Sequence, residues 1–160
     1  MKEIKIESTL TVYNDFNELP KNIAALMEQA MEAREKAYAP YSKFLVGAAI
    51  ALENGQVVTG SNQENASYPS GLCAERTAIY YAGAKYPNVK MKTMAIVAGS
   101  TLHQTIAPIP PCGACRQAIA EYEIKQDEDI ELYFMGETGK VVKSKSLANL
   151  LPLVFDKSVL

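Results

Sequence analysis

Three cysteines are the only thiols in this 160-residue chain, and two of them, Cys112 and Cys115, are three residues apart behind Pro110 and Pro111. A proline pair suits the first turn of a helix, where a missing N–H costs nothing, so both thiols are expected on one helical face. Cys73 follows Ser70-Gly71, a capping signal, and opens a second expected helix. At such a position unpaired N–H groups and the positive end of the helix dipole lower a thiol's pKa, which metal ligation requires. Three thiolates can hold one Zn2+ and leave its fourth tetrahedral position for water, the pattern of a catalytic zinc. Arg76, one turn along from Cys73, and Arg116, next to Cys115, are placed to offset the excess thiolate charge. Side chains at a helix start tilt toward its N-terminal end, so Glu75 can reach the same volume and take a proton from that water.

Other chemistries fit parts of the pattern. Cysteine is among the most buried residue types and often only packs. The Cys112-Gly113-Ala114-Cys115 run at a helix start also suits a thiol oxidoreductase, a reading that leaves Cys73 and Glu75 unexplained. A closed structural zinc would need His103, the only histidine, as fourth ligand and would make the chain a binding module. His103 has no ligand-like spacing around it.

The elements that must position these residues follow from periodicity. Ile4, Ile6, Leu10 and Val12 alternate with polar residues, giving an expected strand over 3–13 that Ser8 interrupts. Ile23, Leu26, Met27, Ala30 and Ala33 recur at helical spacing, giving an amphipathic helix over 20–37. Phe44 to Leu52, the turn Glu53-Asn54-Gly55 and Gln56 to Gly60 read as a hairpin whose first strand is buried on both faces. Further on, helices are expected over 72–83 and 111–123 and strands over 93–98, 130–135 and 140–145, with a long loop over 99–110 and an apolar tail from Leu147 to Phe155. Strands and helices alternating in this way make one α/β domain, a mixed sheet covered by helices.

Cys73-Ala74-Glu75-Arg76 and Pro111-Cys112-Gly113-Ala114-Cys115-Arg116-Gln117 closely resemble the two signature segments of the homotetrameric cytidine deaminases. Phe44-Leu45-Val46-Gly47-Ala48-Ala49 and Asn62-Gln63-Glu64-Asn65-Ala66-Ser67 stand in that family's order and spacing, and the likeness runs over about residues 22–155. In zinc deaminases a glutamate that is not a metal ligand acts as general acid and base beside the metal. The resemblance implies a three-layer α/β/α fold with a mixed five-stranded sheet, preceded by an N-terminal extension over 1–20, with the deaminase domain over 21–160. It implies one Zn2+ per chain on Cys73, Cys112 and Cys115, proton transfer by Glu75 and charge balance by Arg76. Asn62 and Glu64 would hold the ribose hydroxyl, Phe44 would stack near the pyrimidine, Ala74 would contact substrate, and Phe155 would reach into a neighbouring subunit's site. The implied activity is hydrolytic deamination of cytidine and 2′-deoxycytidine to uridine and 2′-deoxyuridine, with release of ammonia, in pyrimidine salvage. A deaminase of a cytosine nucleoside antibiotic such as blasticidin S shares the zinc signature. Two features depart from the family pattern: the extension itself, and a long 100–110 loop with Pro110 where a small residue is usual.

Composition restricts the partners. Sixteen basic against eighteen acidic residues give a net charge of −2, so no global positive field attracts nucleic acid. No segment approaches the roughly 18 apolar residues of a membrane span, and an odd, sparse cysteine count points to a reducing cytoplasm. A small nucleoside substrate and a homo-oligomer, a tetramer by resemblance, are the expected partners.

Overall fold

Side-chain alternation along the central strands decides which helix lies on which face of the sheet. The computed structural model describes residues 1–160, the side chain of Val159 excepted. In chain order the elements are β1 (Thr11–Tyr13), α1 (Lys21–Arg34), β2 (Phe44–Leu52), β3 (Val57–Ser61), α2 (Ala74–Lys85), β4 (Met91–Ser100), α3 (Gly113–Gln126), β5 (Glu131–Met135) and β6 (Val141–Ser144). The strands form one sheet in the order β1-β6-β5-β4-β2-β3. Only β4 and β5 run parallel, joined by the crossover that contains α3.

Even-numbered Ala48, Ile50, Met94, Ile96, Leu132 and Phe134 belong to one core, shared with Ala78, Ile79 and Ala82 of α2 and Ile119 of α3. Odd-numbered Ala49, Ala95, Val97, Tyr133 and Met135 belong to the other, shared with Leu26, Met27 and Ala30 of α1. The chain is therefore the expected three-layer α/β/α domain, with α1 on one face of the mixed sheet and α2 and α3 on the other. The five α1 positions assigned to the core from their spacing are the five that are buried. Two glycines let helices approach closely. A Cβ on Gly47 would collide with the α1 backbone at Ala30 and Arg34, and one on Gly60 would lie 2.6 Å from the Ala78 nitrogen of α2.

Two expectations need correction. The sheet has six strands rather than five, because Thr11, Val12 and Tyr13 pair antiparallel with Lys143, Val142 and Val141. The strand expected over 3–13 shrinks to these three residues, since β6 ends at Ser144 and the chain then turns into a 3-10 segment over Leu147–Asn149. Residues 3–10 thus have no strand to pair with, and Ile4, Ile6 and Leu10 are exposed. Among the described residues no helix is long and apolar enough to cross a membrane.

Candidate active site

α2 and α3 lie on the same face of the sheet and begin at one place. Cys73 and Cys112 are their N-cap residues, both extended, with φ, ψ of −72°, 156° and −67°, 168°. The carbonyl of Cys73 accepts from Thr77 N and that of Cys112 from Arg116 N, so each helix starts immediately after its cysteine. Pro110 and Pro111 precede the cap rather than fill the first turn, as the sequence suggested, because the chain stays extended through Cys112. The Sγ atoms of Cys73 and Cys112 are 3.7 Å apart, and that of Cys115, buried in the first turn of α3, is 3.5 Å from Cys112. Among the described residues these three form the only group of three or more Cys, His, Asp or Glu whose ligand atoms all lie within 4.8 Å of one another. His103 is not in it, which removes the fourth ligand of a closed structural site.

The donor set fits zinc. A tetrahedral centre with Zn–S bonds near 2.3 Å places sulfurs about 3.8 Å apart, close to the spacings seen. Charge points the same way. The Cys73 thiol is pulled down to about 5, chiefly by its hydrogen bond with Cys115 and also by Arg76. The Cys115 thiol is pushed up by that same bond with Cys73, by burial and by the nearby Glu75. Thiols this crowded oppose one another's ionisation, and a divalent cation is what lets all three become thiolates.

Glu75, the second residue of α2, is 4 % exposed and lines a cavity of about 660 Å3 together with Cys73 and Cys112. Burial raises its carboxyl to about 6, with the Cys73 charge adding to the rise. A group in that range can both take and give a proton near neutral pH. Arg76 Nη2 lies 3.9 Å from Cys73 Sγ and 3.5 Å from the Gly71 carbonyl, so its guanidinium stands beside the sulfurs. Arg116 does not share that task. Its Nε donates to Pro111 O at 2.8 Å and its Nη1 to Leu150 O at 2.8 Å, so its charge is spent tying the tail to the start of α3.

The cavity wall brings together most of the remaining candidates. Phe44, at the start of β2, lines it, as do Asn62 and Glu64 just beyond β3. Asn62 Oδ1 accepts from Val46 N at 2.8 Å and its Nδ2 donates to Phe44 O at 2.9 Å, which shapes the β2 wall and leaves one amide hydrogen for a ligand. Glu64 Oε2 accepts from the backbone of Tyr41 and Ser42 at 2.8 and 3.2 Å. A hydrogen bond from the Ser42 side chain, with these two amides, holds its carboxyl below the usual range. Ala74 has a fully buried methyl outside the lining; what it offers is a backbone N–H in the first turn of α2. Phe155 lies outside its own chain's cavity, with an exposed side chain and its carbonyl accepting from Gln117 Nε2 at 2.8 Å. Sequence reasoning missed Tyr41 and Tyr68, exposed aromatics that line the cavity with ring centroids 6.1 Å apart. The available signal was two aromatics beside prolines, Pro40-Tyr41 and Tyr68-Pro69, in the loops that flank Phe44 and Glu64.

Comparison with known proteins places this arrangement. The model of the cytidine and deoxycytidylate deaminase zinc-binding region matches residues 20–127, a span that includes all three cysteines and Glu75. A cytidine deaminase of Halalkalibacterium halodurans is 41% identical over 130 residues, covering 81% of this chain and 91% of that protein. One from Sporosarcina psychrophila is 39% identical over 136 residues, covering 85% and 93%. The crystal structure of cytidine deaminase from Burkholderia pseudomallei superposes with a TM-score of 0.72 at 40% identity, over 86% of this chain and 100% of that one. With the family match spanning both cysteine-bearing helix starts, the chain belongs to the cytidine and deoxycytidylate deaminase zinc-binding family.

Proposed function

We propose that the protein is a zinc-dependent cytidine deaminase, hydrolysing cytidine and 2′-deoxycytidine to the corresponding uridines and ammonia. The observation that carries this reading is a buried glutamate beside a three-sulfur cluster at the wall of a cavity large enough to admit a nucleoside. Cys73, Cys112 and Cys115 would hold one Zn2+, which when bound brings the pKa of a water in its open position toward about 7.

The chain's own groups do the rest. Glu75 accepts a proton from the attacking water and passes it to the pyrimidine N3 while the oxygen adds to C4. It then takes the remaining hydroxyl proton and delivers it to the amino group, which leaves as ammonia. Its burial keeps the carboxyl poised for both directions of transfer. Arg76 balances the thiolate charge, Phe44 packs against the base, and Glu64 and Asn62 bind the sugar: Glu64 accepts from a ribose hydroxyl and Asn62 donates its free amide hydrogen. The backbone N–H of Ala74 faces the substrate from the helix start.

Ionised Glu64 favours a nucleoside over a free base and opposes a nearby phosphate. The enzyme acts in pyrimidine salvage in the cytoplasm, as a homotetramer in which Phe155 completes a neighbour's cavity; residues 21–160 form the deaminase domain and 1–20 its extension. The test is loss of pyrimidine absorbance with zinc content measured on the same sample. Cytidine and deoxycytidine should turn over far faster than cytosine, cytidine monophosphate or a single-stranded oligonucleotide. Equal turnover of the oligonucleotide refutes the salvage role, and blasticidin S as preferred substrate refutes the choice of nucleoside.

A further inference from the structure

Two stretches of the cavity wall come from distant parts of the chain: Phe44 and Val46 at the start of β2, and Ile109 and Pro110 at the end of the long loop between β4 and α3. One carboxylate connects them from outside the cavity. Glu137, in the β5–β6 turn, accepts from Arg34 Nη2 at 2.6 Å through Oε1 and from Thr105 N at 2.9 Å through Oε2. Arg34, the last residue of α1, also donates from Nε to Leu45 O at 3.3 Å, between Phe44 and Val46.

Thr105 is held twice more, its carbonyl by Glu137 N at 2.7 Å and its hydroxyl by Ser100 N at 3.1 Å. The turn that carries Glu137 packs directly on the loop, since a Cβ on Gly136 would lie 2.8 Å from the Ala107 carbonyl oxygen. The Arg34 and Glu137 side chains are only 12% and 25% exposed, so their pairing is less screened than a surface ion pair. At its first residue the loop is also tied to the chain just before β2, Thr101 N and Oγ1 donating to Lys43 O at 2.8 and 3.3 Å. Beyond that point Leu102, His103 and Ile106 are exposed, and Thr105 is the buried anchor. A loop of this length is entropically loose unless pinned.

We propose that Arg34 and Glu137 are positioning residues that brace the 101–110 loop to the start of β2, keeping Ile109 and Pro110 at the separation from Phe44 that a pyrimidine nucleoside requires. This rests on the nucleoside reading of the cavity. Neither side chain lines the cavity or meets the sulfurs, so the brace acts on substrate fit and leaves the metal alone.

The test compares the parent with Glu137→Ala, Glu137→Gln, Glu137→Asp and Arg34→Gln, reading zinc content, amide hydrogen exchange over 101–110, and KM and kcat for cytidine. Glu137→Ala should speed exchange at Thr105 and its neighbours by about tenfold or more. It should raise KM by about three- to tenfold with kcat within about threefold and zinc unchanged. Glu137→Asp should recover part of both effects, and adding Arg34→Gln to Glu137→Ala should cost little beyond either alone, because the two act as one unit. If Glu137→Ala does not fold, Glu137→Gln, which keeps shape and loses charge, carries the same comparison. Unchanged exchange overturns the brace, and faster exchange with unchanged KM overturns its role in substrate fit. If the zinc-loaded parent turns over no cytidine, the proposed function fails; the brace then stands or falls on the exchange result alone.

Discussion

Glu75 and Cys115 are buried, Cys73 is half-buried and Cys112 is exposed, and the carboxylate and the thiols offer different chemistry, which makes their roles separable by substitution. Glu75→Gln preserves shape and hydrogen bonding and removes the proton carrier, so zinc content and melting temperature should match the parent. Turnover should fall by at least the 10²–10⁴ that general acid–base catalysis typically supplies. A variant within about tenfold of the parent would falsify the proton-transfer role. For the metal, Cys73→Ala should abolish stoichiometric zinc while His103→Ala keeps one zinc per chain, as metal analysis of purified variants will read. The reverse result would return the structural-zinc reading, in which His103 was the fourth ligand. Arg76 and Arg116 illustrate a limit of adjacency. Both come within one turn after one of the three clustered cysteines, yet only Arg76 points at sulfur, because Arg116 finds two carbonyls within reach.

At the scale of elements, the site depends on how closely α1 and α2 approach the β2–β3 hairpin. Gly47 sits where the α1 backbone presses on β2, so Gly47→Ala forces two backbone segments apart rather than displacing a flexible side chain. Overpacking typically costs about 1–3 kcal/mol, and with rigid groups on both sides the upper part of that range is expected. Thermal or denaturant unfolding will show it, and a melting temperature equal to the parent's would mean that α1 can shift freely. Gly47 is also three residues from Phe44, so KM should rise as well. Asn62 serves the same architecture, since its amide closes the β2–β3 register at Val46 and Phe44 before any ligand arrives.

Over the whole molecule, the extension and the body are unequal partners. Residues 1–10 contact the body through little more than Thr9 N to Asn149 Oδ1 at 3.2 Å, and their apolar side chains are exposed. Deleting them should change stability by no more than about 0.5 kcal/mol, the usual scale for surface changes. Deletion through Tyr13 should cost more, because it removes the β1–β6 pairing and the Tyr13–Tyr133 stack at 6.3 Å. Denaturant melts of the two truncations decide this; equal melts would mean that β1 adds nothing to the sheet.

What the amino-acid sequence alone determined was local. The α1 core face was legible because helical periodicity is a property of a few consecutive turns, and the buried hairpin because Asn54-Gly55 marks a turn between apolar runs. Cys73, Glu75, Cys112 and Cys115 were legible because the start of a helix confers its chemistry through the nearest residues alone. Only the tertiary structure could bring the Cys73 sulfur within 3.7 Å of one 39 residues away, deny residues 3–10 a strand partner, or set Tyr41 beside Tyr68. The same holds for Arg34 and Glu137, 103 residues apart and joined at 2.6 Å. Such contacts depend on where whole elements pack, and packing is settled by the combined burial of both sheet faces, which no single stretch of residues encodes.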